Sequence, residues 1–212
     1  AAVIPLRDRT ERQQRAIQRL RDAIWTLNVH AEIADLLPTL RQSLEDLEVP
    51  FDACGLNTVD ATTNPPTVVI RDLDGVGVYR HPETDAPGAQ LILRFCQAGQ
   101  PVYRQDVLET DVYDEVVQKH DDADVVVRSI LDVPFEFGPL AVNSNQPRAF
   151  TDQDIEGMQL LGQVLNEGFH RLQDLQALQD RTAAAEATQE HAELEMMQRQ
   201  REERLRQAVQ VV

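Results

Sequence analysis

"VRSILDVPFEFGPLAVNSNQPRAFTDQDIEGMQLLGQVL" (residues 127–165) holds the order of elements that decides the fold. Alternation over 127–135 puts Val127, Ser129, Leu131, Val133 and Phe135 on one side of a strand and Arg128, Ile130 and Asp132 on the other. Gly138-Pro139 reads as a turn, and "LAVNS" (140–144) as a returning strand. A polar loop leads to Thr151-x-x-Asp154, the spacing of a capping box with Asp in place of Glu. Ile155, Met158, Leu161, Leu165, Phe169 and Leu172 then form the wide apolar face of a helix.

That helix meets no stop signal. Past Leu178 the chain has no Gly or Pro and is rich in Ala, Glu, Gln and Arg. Leu175, Leu178, Thr182, Ala185, Gln189, Ala192 and Met196 keep a weak heptad spacing, which predicts a two-helix coiled coil of low intrinsic stability. At 1.5 Å per residue, a helix from Thr151 to the end would be roughly 90 Å long. No small core buries that length, so pairing with a partner is expected.

Upstream, residues 10–29 read as a helix with Ile17, Leu20, Ile24 and Leu27 along a narrow seam, and Arg12, Arg15, Arg19 and Arg21 on its other faces. A second helical stretch, 32–48, carries Ile33, Leu37, Leu40, Leu44 and Leu47. Pro38 either sits in the first turn of a helix starting near Asp35 or kinks it. Strands are predicted over 53–60, 67–73 and 76–80, the last two joined by an Asp74-Gly75 hairpin. A helix over 89–99 closes at Gly99, and 101–106 reads as a short edge strand starting at Pro101. A short helix over 110–120 is capped by Thr110 or Asp111, and 121–124 is loop. "RLRDAI" (19–24) returns faintly as "RLRQAV" (204–209).

Acidic residues number 36 against 20 basic, a net charge of −16. Nucleic acid and anionic membrane both need basic patches, so neither is an expected partner. No apolar run is long enough for a membrane span, so no membrane insertion is expected. Cys54 and Cys96 are the only cysteines, with no CxxC, which fits a cytoplasmic protein without a disulfide framework. The start has no signal-peptide layout, and the lack of an initiator Met suggests an excised or processed fragment.

With "RSILDVPF…GPLAVNS…PRAFTDQDIEGMQLLGQVL" in place, residues 30–178 resemble a GAF domain. The residues that carry the resemblance are Val133-Pro134, Gly138, the strand 140–144 and Phe150-Thr151-x-x-Asp154. The resemblance implies an α+β, GAF/PAS-like fold: a central antiparallel sheet with the N- and C-terminal helices on one face, plus the long coiled-coil helix. It also implies that loops and short helices of about 80–124 cover the other face, where family members bind small ligands. Such domains sit in multidomain bacterial signalling proteins of the sensor-kinase or cyclase type, usually as dimers.

Arg128, mid-strand, either meets an anionic ligand on that face or makes an internal ion pair with Asp106 or Asp132, the second being preferred. Ser129, Tyr103, Tyr113, Val117 and His120 complete the candidate ligand pocket. No cofactor is expected. Asn143 is followed by Ser144 rather than Lys, against the family's cyclic-nucleotide signature. The two cysteines lie away from the motifs of bilin attachment or methionine sulfoxide reduction, and read as buried structural thiols.

His30, His81, His120, His170 and His191 are scattered, which disfavours metal and haem, His120 being the least implausible haem ligand. Glu190, His191 and Glu195 read as a solvated face, and the phospho-acceptor box of a histidine kinase, a Walker loop and a cyclase signature are missing.

The expected organisation is a dimerisation helix (1–29), a GAF-like domain (30–178) and a coiled-coil linker (179–212). Ile17, Leu20, Ile24, Leu27, Leu165, Phe169, Leu172, Leu175 and Leu178 are the expected dimer or bundle interface. The expected function is a non-catalytic regulatory module that homodimerises and relays a signal through its last helix. A small-molecule receptor is the alternative, and a redox enzyme of the same fold a third reading.

Overall fold

The computed structural model describes residues 6–28, 30–73, 78–81, 87–113 and 127–209. Helix α1 (Leu6–Thr26) leads through a 3-10 turn (Ile33–Leu36) into α2 (Leu37–Asp46). Pro38 lies in the first turn of α2, where its missing N–H has no intrahelical partner to lose. Then come β1 (Ala53–Asp60), β2 (Thr67–Asp72), β3 (Val78–His81), α3 (Pro87–Ala98), β4 (Val102–Arg104), β5 (Ser129–Phe135), β6 (Gly138–Ser144) and α4 (Asp152–Val209). The predicted Asp74-Gly75 turn and most of the predicted 110–120 helix, with Val117 and His120, lie outside the described residues.

The strands form one six-stranded antiparallel sheet, ordered β3-β2-β1-β6-β5-β4. The predicted edge strand is indeed at an edge. Alternation sends Cys54, Leu56, Leu131, Val133, Leu140 and Val142 into one core with α1, α2 and α4, while Val68 packs on the other face with Ala89 and Ile92 of α3. The N- and C-terminal helices thus share one sheet face.

The hairpin differs from its sequence reading. Gly138 pairs with Phe135, so the turn is Glu136-Phe137, and Gly138-Pro139 belongs to β6. The reason is a close approach to β1. Gly138 has φ +154, and a Cβ there would lie 2.0 Å from the Asn57 carbonyl oxygen. The Phe137 carbonyl accepts from the Val59 N–H at 2.7 Å. Pro134 and Pro139 stand opposite each other, and neither has an N–H to give a flanking strand. The β1–β6 ladder ends at Leu56–Leu140, and the β4–β5 ladder at Val102–Asp132.

The Thr151–Asp154 box forms as its spacing predicts: Asp154 accepts from both the N–H and the hydroxyl of Thr151, each at 2.7 Å. From it, α4 runs 58 residues, about 87 Å at 1.5 Å each. Its first part packs in the core through Met158, Leu161, Val164 and Leu165. From Asp180 to Glu202 every residue is exposed.

Contacts fix the helix directions. Along α2, Leu47 just past its end meets Gly157 of α4, and Leu36 just before its start meets Gly168, so α2 and α4 are antiparallel. Ser43 of α2 donates to the Ala16 carbonyl, and Arg12 pairs with Glu48, so α1 and α2 are antiparallel as well. Therefore α1 and α4 run parallel. The start of α1 and the end of α4 point to opposite ends of the domain.

Candidate functional site

Alternation aims Arg128, Ile130 and Asp132 at the α3 face of the sheet, where two ion pairs are built. Arg128 grips both oxygens of Asp106, with Nε 2.9 Å from Oδ1. Asp106 sits just after β4, and its Oδ1 also accepts from the Leu108 N–H at 3.2 Å. The neighbouring Val107 N–H donates to the Arg128 carbonyl at 2.8 Å. Hydrogen bonding to Arg128 holds the Asp106 carboxyl below its usual range, and the same bond raises the guanidinium. Of the two readings of Arg128, the internal ion pair is therefore the one observed.

The second pair was not visible in the sequence. Arg104 reaches Asp132 at 2.6 Å, with both side chains buried. The Arg104 guanidinium lies 4.9 Å from the Phe95 ring and 6.0 Å from that of Tyr113, and those rings meet edge to face at 5.3 Å. Cys96, half-buried nearby, has its thiol pushed up to about 11 by burial and by the Asp132 charge, which keeps it a poor nucleophile. Cys54 lies in the core on the opposite sheet face, so the two thiols do not form a redox pair.

A cavity of about 350 Å³ opens beside β4, lined by Tyr103, Arg104, Asp106, Tyr113 and Arg148 among others. Tyr113 and the acid that holds Arg128 line it together; Tyr103 also borders it, but its side chain stands opposite Leu131 and packs against the helix-bearing core rather than on the Arg128 face. The Tyr103 hydroxyl accepts the Phe150 N–H at 2.9 Å, and burial raises its pKa. Ser129 belongs elsewhere: it is fully buried on the helix-bearing side of β5, and its hydroxyl donates to the Gln146 carbonyl at 2.7 Å. The sequence alternation had already put Ser129 on the face opposite Arg128, so it does not share a pocket with it.

The apolar helix residues fall into three groups. Leu20, Ile24, Leu27 and Leu165 are buried inside this one chain, in the same core as the sheet. Ile17, Phe169, Leu172 and Leu175 are partly buried at its rim. Leu178 is 55% exposed. Phe169 stacks on Phe137 at 4.8 Å and touches Phe135 at 5.4 Å, tying the β5–β6 hairpin to α4. His170 sits edge-on to Phe137, and its Nε2 is 2.9 Å from Glu136.

Polar contacts between α1 and α4 were also missed. Glu167 takes Arg21 through both oxygens, at 3.0 and 2.7 Å, so Arg21 is not on a bare face. This bond lowers the Glu167 pKa and raises that of Arg21. Arg171 donates to the carbonyls of Ile24 and Leu27 and lies over the Trp25 ring. A pair 146 residues apart in sequence leaves no periodic signal.

Among the described residues, no group of three or more His, Cys, Asp or Glu is arranged to hold a metal, and no helix is long and apolar enough to cross a membrane.

No family model matches the sequence, and no curated protein does either. Solved structures do match in shape. The GAF domain of a phosphoenolpyruvate-protein phosphotransferase from Coxiella burnetii superposes with TM-score 0.52 at 13% identity, over 82% of this chain and 98% of that one. The chromophore-binding domain of an unusual bacteriophytochrome from R. palustris gives 0.56 at 11%, over 80% of this chain and 63% of that one. A free methionine-R-sulfoxide reductase from Neisseria meningitidis, solved with its substrate, gives 0.53 at 16%, over 76% and 90%. Identities this low speak for the fold alone. The sheet order, the helices on one face and these superpositions agree: the fold of this chain is of the GAF type.

Proposed function

We propose that this chain is a non-catalytic regulatory module that pairs with a second copy and passes changes in helix packing along α4. The observation that supports this most is α4 itself. One unbroken helix begins inside the core and continues as a fully exposed run, carrying Leu178, Leu194, Met196 and Met197 at 54–59% exposure. Apolar side chains on a lone solvated helix are best covered by another helix. The outer side of α1 adds a groove of about 790 Å³ beside Ile17, Gln18 and Arg21. The parallel course of α1 and α4 suits a module placed between an input and an output in a multidomain signalling protein of the sensor-kinase or cyclase type. On this reading the outer side of α1 and residues 179–212 contribute the pairing surfaces, while Leu20, Ile24 and Leu27, expected at that interface, are instead spent in the chain's own core, so α1 belongs to the domain. The setting would be cytoplasmic.

Sedimentation equilibrium tests the pairing. The full chain is expected to be dimeric at tens of micromolar, and a chain ending after Leu178 to associate more weakly. A monomeric full chain at that concentration would sink the proposal.

One observation favours a second reading, a small-molecule receptor: the cavity beside β4, lined by Arg104 and by Tyr113, whose ring lies 6.0 Å from the Arg104 guanidinium. Native mass spectrometry of the purified protein would show a retained small molecule, lost in Tyr113→Ala. A bare mass in both proteins counts against it.

A further inference from the structure

We infer that Arg171 and Trp25 latch α1 to α4, so that the two helices move as one body and a displacement of α1 is carried into the exposed part of α4. This rests on the relay reading above and names its input: α1 rather than the sheet.

Three contacts occur within little more than one turn of α4. Glu167 holds Arg21 by both carboxylate oxygens. Gly168 has no side chain, and Ile24 fills the space; a Cβ at 168 would lie 3.0 Å from Ile24 Cδ1 and Cγ1. Arg171 donates Nε–H to the Ile24 carbonyl at 3.1 Å and a terminal N–H to the Leu27 carbonyl at 3.4 Å. The Ile24 carbonyl is in the last turn of α1, and that of Leu27 lies just beyond it. The Ile24 carbonyl also accepts the Leu27 N–H at 3.2 Å, so Arg171 shares it, and carbonyls at a helix end form the negative end of the helix dipole, where a fixed cation is favoured.

Trp25 explains how that cation is fixed. The indole is 69% exposed, an unusual place for the chain's single tryptophan if burial were its purpose. Its ring lies 4.8 Å from the Arg171 guanidinium carbon and gives the planar group a seat.

The two kinds of contact block different motions. Sliding α1 along α4 drives Ile24 out of the Gly168 notch. Rotating either helix pulls Arg21 from Glu167 and Arg171 from its carbonyls. A force applied to the start of α1 is therefore delivered to α4 close to the point where α4 leaves the core.

The test uses the full chain with nitroxide labels on unnatural residues at Gln14 and Ala185. Labelled protein is diluted with unlabelled protein so that only distances within one chain are read. Wild type is expected to give one narrow distance distribution. Arg171→Gln combined with Arg21→Gln should broaden it roughly twofold, since these are surface contacts of modest strength. Arg171→Lys, which keeps the charge but loses the planar stack, should fall between. Trp25→Ala, an exposed change away from the core, should broaden it too, and guards against misfolding of the double variant. Unchanged widths in both the double variant and Trp25→Ala would overturn the latch. Sedimentation separates the two failures: broadening in a chain that proves monomeric supports the latch while removing the relay.

Discussion

Asp106 takes the Arg128 guanidinium through both carboxylate oxygens, and this grip joins the segment leaving β4 to the segment entering β5. Because the folded carboxyl titrates below its ordinary value of about 3.9, the pair stabilises the fold fully above that pH and its contribution fades as pH falls through the lower folded value. Asp106→Asn is expected to lower Tm by a few degrees near neutrality. The gap from wild type should shrink on acidification through the carboxylate range. Thermal melts across that range check it, and a constant gap would contradict the linkage.

Gly138 gives the sharpest steric prediction. In Gly138→Ala the new Cβ would stand 2.0 Å from the Asn57 carbonyl oxygen and 2.9 Å from the Thr58 Cα, both backbone atoms that cannot turn aside. The expected loss is about 4 kcal/mol or more in urea unfolding, at the extreme end for single substitutions. Gly168→Ala should be far milder. Its clash is with the movable end of Ile24, and alanine gains about 1 kcal/mol of helix propensity.

The buried Arg104–Asp132 pair should be costly to break and cheap to replace as a unit. Asp132→Ala leaves a buried guanidinium without this carboxylate, and a loss of about 3–5 kcal/mol is expected. Arg104→Met together with Asp132→Leu should recover most of it. Chemical denaturation of the single and double variants decides; a double variant as weak as the single would show that the pair is needed for more than charge balance.

Ile24→Asp places a carboxylate in the shared core of α1, α2 and α4, where it must stay neutral or force the helices apart, at a cost of several kcal/mol. Arg21→Asp sets a second acid against Glu167, but both sites are half exposed, so about 1 kcal/mol or less is expected. Gln14→Asp, on an exposed part of α1, should do nothing measurable. Calorimetric Tm values rank the three, and equal values would deny α1 a place in the core.

Most of the fold was legible because periodicity and punctuation are local. The alternation through Leu131, Val133 and Phe135, the Thr151–Asp154 cap and the Gly99 stop all report on their own neighbourhoods. The hairpin turn lies two residues before Gly138-Pro139 because Gly138 answers to the Asn57 carbonyl oxygen, a backbone atom of another strand. The site was legible only in part. Arg128 stood out as a charge in an apolar strand, and Asp106 was one of two acids in reach. Arg104–Asp132 did not stand out, since the two residues are 28 apart on different strands and no local spacing links them. Arg21–Glu167 and Arg171–Trp25 join opposite ends of the chain, and no spacing rule reaches across that distance.

An unbroken α4 makes angular phase a heritable property of the chain. One residue inserted between Leu178 and Ala192 would turn everything beyond it by about 100° about the helix axis and advance it about 1.5 Å. Seven inserted residues would bring it back to within about 20°. Length changes in this stretch should therefore be tolerated in steps of near-whole turns, whereas substitutions that keep the helix leave the phase untouched.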